Sequence, residues 1–209
     1  MKASAILKAE RAALCDTLER LGPDAPTLCD GWTTADLAAH LVVRERRLDA
    51  GPGIIVGGPF ERHTTKLMES AKQKGYATMV DRLRGGPPFP MNVGPGAAVN
   101  VNENWIHHED ARRANGEGPR QLDPDVDALL WKILGLGARM GMRKVPVGVE
   151  AITPDGERRL LRKREPVVTI TGDAPEIVLF CAGRRDAAVV DLAGPDDAVA
   201  ALRAAQLGI

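Results

Sequence analysis

In the stretch VNVNENWIHHEDARRANG, Glu103 and His107 stand four residues apart. Residues so spaced on an α-helix leave the same face, one turn above the other. A carboxylate and an imidazole in that relation can close on one metal ion, as the paired histidines of HExxH do. His40, in an earlier helical stretch, is the third candidate ligand of a chain that holds only four histidines, the others being His63 and His108. An ion such as zinc accepts imidazole nitrogen and carboxylate oxygen at about 2.0–2.2 Å, and two histidines with one glutamate leave a position open for water or substrate. An ion so held lowers the pKa of bound water to about 7 and deprotonates a coordinating thiol. Asp110 shares the His107 side of the helix and could orient its ring. The plainer alternative for Glu103 and His107 is a polar pair with no ion between them. His108, turned about 100° from His107 on the helix, is expected at the surface. Glu109 is expected to be solvated and His63 exposed.

These side chains need helices to hold them. Apolar positions Ile6, Ala13, Leu14 and Leu18 recur at helical spacing over residues 3–21, and Gly22-Pro23 stops that run. The segment TLCDGWTTADLAAHLVVRERRLDAG has the clearest helix start: Thr33 or Thr34 as cap, Asp36 at the positive end and Trp32 before the cap. Leu37, Leu41 and Leu48 mark its buried stripe, and building a site between such facing helices is common in bundles. GPGIIVGGPF reads as a buried crossover loop or, alternatively, a flap over a pocket. Charged helices are expected around 62–74 and 77–84. GGPPFPMNVGPG reads as a second loop before the helix of Glu103 and His107, which should end at Asn115-Gly116. Residues 124–143 form a further amphipathic helix, in which Gly135, Gly137 and Gly141 suggest close packing against another helix.

At Val145 the pattern changes. VPVGVEAIT, PDGE and RRLLRKRE predict a β-hairpin, PVVTITG a strand, APEIVLFCAG a short helix, DAAVVDLAG a strand, and PDDAVAALRAAQLG a last helix capped by Asp196 or Asp197. Two domains are therefore expected: a helical metal-binding bundle over 1–144 and a small α+β domain over 145–209.

Twenty-eight basic residues balance 28 acidic ones in 209, which argues against nucleic acid and anionic membrane as partners. The basic runs Arg44–Arg47 and Arg158–Arg164 read as solvated faces. MKASAILKAERAAL becomes charged before any apolar signal core develops, and no run nears the roughly 18 apolar residues of a membrane span. A cytoplasmic protein is expected. Cys15, Cys29 and Cys181 are odd in number and widely spaced, so a disulfide framework is not expected, and Cys15 reads as a buried thiol.

GWTTADLAAHLVVRE resembles the signature of the DinB-like, mycothiol-dependent maleylpyruvate isomerase superfamily. ENWIHHEDARRANG resembles the E-x3-H-x2-D segment of the same group, and VTITGDAPEIVLFCAGRRDAAVVDLAGPDDAVAALRA is similar to its C-terminal domain. The resemblance implies an α+β protein, with a DinB-like four-helix bundle followed by a small C-terminal α+β domain. It implies a divalent metal, commonly zinc, on His40, Glu103 and His107. It further implies mycothiol or a similar low-molecular-weight thiol as cosubstrate, a small-molecule electrophile, and a transferase or isomerase reaction. Arg184 falls where the group has a Gly-Arg pair and is a candidate for cofactor binding, while Arg44 and Arg47 could bind a substrate carboxylate. No catalytic residue is identified. Two functions compete with this one: a metal-dependent hydrolase using bound water, and a non-catalytic metal- or ligand-binding module that could pair as a homodimer.

Overall fold

Helical periodicity in the first two-thirds of the chain and alternation in the last third produce eight helices and four strands among the described residues. The computed structural model describes residues 2–47, 49, 61–89 and 91–207. Leu48 and the GPGIIVGGPF loop lie outside them. The chain falls into two compact units, Met1–Gln121 and Leu122–Ile209, so the change of pattern at Val145 lies inside the second. No described helix is long and apolar enough to cross a membrane.

The first unit holds five described helices: α1 (Ala3–Leu21), α2 (Thr34–Arg46), α3 (Glu61–Lys72), α4 (Tyr76–Arg84) and α5 (Gly94–Ala114). Helix α1 ends where Gly22 takes φ +76°, a conformation open to glycine without a Cβ clash, and its N–H closes on Leu18 O. Helix α2 starts as expected: Asp36 Oδ2 accepts the Thr33 backbone N–H at 3.0 Å and the Thr33 hydroxyl at 3.0 Å. Helix α5 starts earlier than expected. Gly94-Pro95-Gly96 is its first turn, because the missing N–H of a proline there breaks no intrahelical bond.

Helix α1 packs most extensively along α5, and α2 packs against α3 and α4. The core between them is Leu14, Leu18, Leu37, Leu41, Met79, Val80 and Leu83, with Cys15 fully buried among them. Each such leucine stabilises the unit by about 1.5–3 kcal/mol through burial. A buried ion pair joins α1 to α2: Arg11 Nη2 donates to Glu45 Oε1 at 2.6 Å, and Arg11 Nη1 also reaches Leu83 O at 3.0 Å. Arg46 donates to the carbonyls of Arg82 and Gly86. Arg46 and Arg47 are exposed, as expected of a solvated face, although Arg46 also ties α2 to the end of α4, while Arg44 is partly buried. The connection from α1 to α2 is clipped onto α5, with Leu28 N donating to Asp110 O at 3.1 Å and Asn115 Nδ2 to Pro26 O at 3.0 Å.

The second unit contains α6 (Pro124–Gly141), β1 (Gly148–Ile152), β2 (Arg158–Arg162), β3 (Val167–Thr171), α7 (Ala174–Cys181), β4 (Asp191–Ala193) and α8 (Asp196–Ala204). The sheet order is β2-β1-β3-β4, antiparallel except for the β1–β3 pair. Helix α6 packs on α7 and β2, and α8 on β3. Gly135 is explained by a strand rather than a helix: it faces the Arg159 side chain of β2, whose guanidinium also lies 4.8 Å from the Trp131 ring centroid. The cap of α8 is Pro195, and Asp196 and Asp197 lie within its first turn. The architecture is α+β, a helical part followed by a small mixed unit, as expected.

Candidate metal centre

The i,i+4 spacing on α5 places the Glu103 and His107 side chains together, with Glu103 Oε2 3.9 Å from His107 Nε2. From α2, the His40 ring comes to 5.1 Å from the His107 ring, centroid to centroid, at 69°. One donor atom from each of the three lies within 4.8 Å of the other two. Ligands of a single zinc ion, each about 2.0–2.2 Å from it, sit roughly 3–4 Å apart, so small side-chain rotations bring these three onto one ion. His40 and His107 are buried, whereas Glu103 is partly exposed.

Hydrogen bonding decides which nitrogen His107 presents. Asp110, fully buried, holds Oδ2 at 2.9 Å from His107 Nδ1. A carboxylate accepts, so Nδ1 carries the proton and Nε2 turns its lone pair towards Glu103. Asp110 is held in turn by Cys29, whose Sγ donates to the same Oδ2 at 3.3 Å. Cys29, His107 and Asp110 are themselves close enough to share an ion. That set would require breaking the His107–Asp110 bond, whereas His40, Glu103 and His107 keep it. Trp32 packs its ring 5.1 Å from that of His40, covering the imidazole from the α1–α2 connection. Nothing in the sequence spacing marks Cys29 as a neighbour of the site. It arrives there because its loop is clipped to α5.

The other candidates fall elsewhere. His108 is not at the surface: it is 3% exposed, its Nε2 2.9 Å from Thr17 Oγ1 and its Nδ1 2.8 Å from Glu10 Oε1. Glu109 is not solvated either; it is fully buried and accepts from Arg112, Arg113 and Arg120. Helix α5 is covered on more than one side: at His108 a turn of about 100° leads into α1 rather than into water, and Glu109 is enclosed by three arginines. Burial alone would raise the carboxyl pKa of Glu10, but hydrogen bonds from His108 and Arg120 outweigh it and hold the group down at about 2. His63 is exposed as expected, 2.8 Å from Asp49, which Arg47 also binds at 2.8 Å. Arg44 points to the ligand cluster, its Nε 3.1 Å from Glu103 Oε2. Arg184 lies in the second unit just after α7, where its Nη1 donates to Ala182 O at 2.6 Å.

Residues 5–88 match the family model described as the mycothiol maleylpyruvate isomerase N-terminal domain. That stretch contains His40 and stops before Glu103. Over the whole chain the fold is similar to the crystal structure of a mycothiol-dependent maleylpyruvate isomerase, at 15% identity and a TM-score of 0.59, covering 90% of this chain and 91% of that one. A histidine-to-alanine mutant of the same enzyme gives a TM-score of 0.61 at the same identity and coverage. No curated protein matches the sequence.

Proposed function

Starting from a chain that carries a mycothiol maleylpyruvate isomerase N-terminal domain and shares the isomerase fold, we propose a thiol-dependent transferase or isomerase that holds a divalent metal, zinc in the first instance. The metal ligands are His40, Glu103 and His107, and the cosubstrate is mycothiol or a similar low-molecular-weight thiol. The observation that carries this reading is the oriented donor set: two buried imidazoles and one carboxylate from two helices, with the His107 tautomer set by Asp110.

When bound, the ion supplies Lewis acidity and keeps a coordinating thiol in its anionic form near neutral pH. The protein groups do the rest. Asp110 retains the proton on His107 Nδ1 and so keeps Nε2 basic. Trp32 and the burial of both imidazoles limit water on the side away from Glu103. The cosubstrate thiolate would add to one carbon of a substrate C=C bond, breaking its π bond and leaving the electron pair on the neighbouring carbon, where an adjacent electron-withdrawing group delocalises it. If rotation about the former double bond follows and the sulfur is expelled, the pair re-forms the double bond in the other geometry and the thiolate is regenerated. If that carbon instead takes a proton from solvent, the product is a thioether. Arg184 is the residue we assign to cosubstrate binding, and Arg184→Gln is expected to raise the KM for the thiol more than it lowers kcat.

Metal analysis combined with X-ray absorption tests the reading. It expects about one zinc per chain, with nitrogen and oxygen neighbours at about 2.0–2.2 Å and a sulfur neighbour at about 2.3 Å once thiol is added. Zinc affinity unchanged in both His40→Ala and Glu103→Ala would remove the site. Zinc bound without any sulfur neighbour, together with ester or amide hydrolysis in the absence of thiol, would replace thiol chemistry by that of bound water.

A further inference from the structure

The face of α2 turned away from His40 closes a second cavity. Val42 and Arg46 stand about 200° and 240° round the helix from His40. With residues of α3, of α4 and of the turn joining them, they enclose a space of about 100 Å³. Its floor is apolar and buried, formed by Val42, Val43 and Ala71. Its rim is exposed and basic, carrying Arg46, Arg47, Lys74 and Arg82. Among the described residues no acidic side chain lines it, and the acids nearest in sequence, Glu69 and Asp81, lie outside the lining.

Three of those four charges are unanswered. Arg47 is neutralised by Asp49, which takes both its Nε and its Nη2. Arg46 is fixed without being neutralised. Its Nη2 donates to two carbonyls, Arg82 O at 3.0 Å and Gly86 O at 2.9 Å, and its Nε and Nη1 meet no partner among the described residues. The side chains of Lys74 and Arg82 meet neither a carboxylate nor another acceptor among the described residues. Neighbouring cations differ: Lys72 pairs with Asp36 and Glu69, and Arg84 with Asp16 and Glu19. A local excess of positive charge therefore surrounds one small cavity in a chain of zero formal net charge.

We infer that this cavity binds a small phosphate monoester, with its phosphate on Arg46, Lys74 and Arg82 and its organic group against Val42, Val43 and Ala71. A phosphate group brings three acceptor oxygens and about two negative charges at pH 7. Cations from α2, from α4 and from the turn before α4 can share those oxygens, whereas a carboxylate brings two oxygens and one charge. The space is below the ~300–1,000 Å³ of pockets for drug-sized ligands, which excludes a nucleotide or a polymer as the occupant. The two carbonyls hold Arg46 in place before any ligand arrives, so less ordering is left for binding. None of His40, Glu103 and His107 lines the cavity, and the inference does not rest on the metal reading.

Calorimetric titration of the full-length protein with phenyl phosphate tests the site. Arg82→Gln and Lys74→Gln, both at exposed positions, are each expected to weaken binding at least about tenfold. Arg46 is left in place, because it also joins α2 to α4. Arg47→Gln should bind like the parent, since Asp49 already answers that charge. His40→Ala should also bind like the parent, which separates this cavity from the candidate metal centre. Inorganic phosphate, which leaves the apolar floor empty, and benzoate, which brings a single charge, should both bind more weakly than phenyl phosphate. Absence of saturable binding to the parent overturns the inference, as does parent-like affinity in either Arg82→Gln or Lys74→Gln. Loss of binding in His40→Ala also overturns it, since the anion would then sit on the other face of α2. Inorganic phosphate or benzoate binding as tightly as phenyl phosphate would remove the monoester as the occupant.

Discussion

A second hydrogen bond fixes which nitrogen an imidazole can offer to a metal, and at His107 that bond goes to Asp110. Removing the carboxylate leaves the ring free to choose its tautomer and its rotation. Asp110→Ala is expected to weaken zinc binding about 10–100-fold, measured by competition with a chromophoric chelator, with the helical circular dichroism unchanged. Unaltered affinity would mean that His107 is oriented by packing alone. Glu103, His107 and Asp110 are legible in the sequence because they lie at i, i+4 and i+7 of one helix, and local periodicity brings them to one side. His108, Glu109 and Cys29 are not. His108 and Cys29 meet α1 and α5 through residues distant in sequence, and Glu109 is shut off from water by Arg120 together with the arginines of its own helix, which helical periodicity does not report. Glu10 adds a pH dependence at the same scale. Its carboxyl is held near 2 against an ordinary value of 4.5, so the stabilisation it gives is complete above about 4.5 and is lost as pH falls towards 2. The contribution is about 3 kcal/mol by the size of that shift. Urea melts at pH 7 and pH 3 are expected to differ less for Glu10→Gln than for the parent, the variant being the weaker of the two at pH 7. Parallel pH slopes would assign the acid sensitivity to other carboxylates.

Helices in the first unit are joined by charge as well as by leucine. The Arg11–Glu45 pair ties α1 to α2 in a setting where both side chains are almost wholly out of water. Truncating one partner strands the other charge, at a cost of about 3–5 kcal/mol, while replacing both with apolar residues costs much less. Arg11→Ala should therefore lower the urea midpoint far more than Arg11→Met combined with Glu45→Leu. Equal losses from the single and the double replacement would show that the pair contributes through packing rather than charge. At this scale the sequence is informative about where helices start when the cap is local, as at Thr33 and Asp36. It misleads when the first turn is built from residues typical of loops, as with Gly94-Pro95-Gly96. The β-hairpin can be read from its turn residues, but the parallel pairing of β1 with β3 cannot, since no short-range signal encodes a neighbour across an intervening strand.

For the molecule as a whole, a metal on His40, Glu103 and His107 would cross-link two helices far apart in sequence, and any ligand that binds only the folded state stabilises it by mass action. Zinc at 100 times its dissociation constant should add about 2.7 kcal/mol. Differential scanning calorimetry is expected to show a higher melting temperature with zinc than with a chelator, and no such difference in His40→Ala. The same rise in both proteins would place the stabilising ion elsewhere. The boundary between the two units, after Gln121, has a consequence for how such proteins diverge. Every donor of the site, together with Asp110, Cys29, Trp32 and Arg44, precedes that boundary. Recombination downstream of it replaces none of the side chains that face the ion. Were an ion held there, all of its ligands and the groups that orient them would travel together as one block, whatever second unit followed.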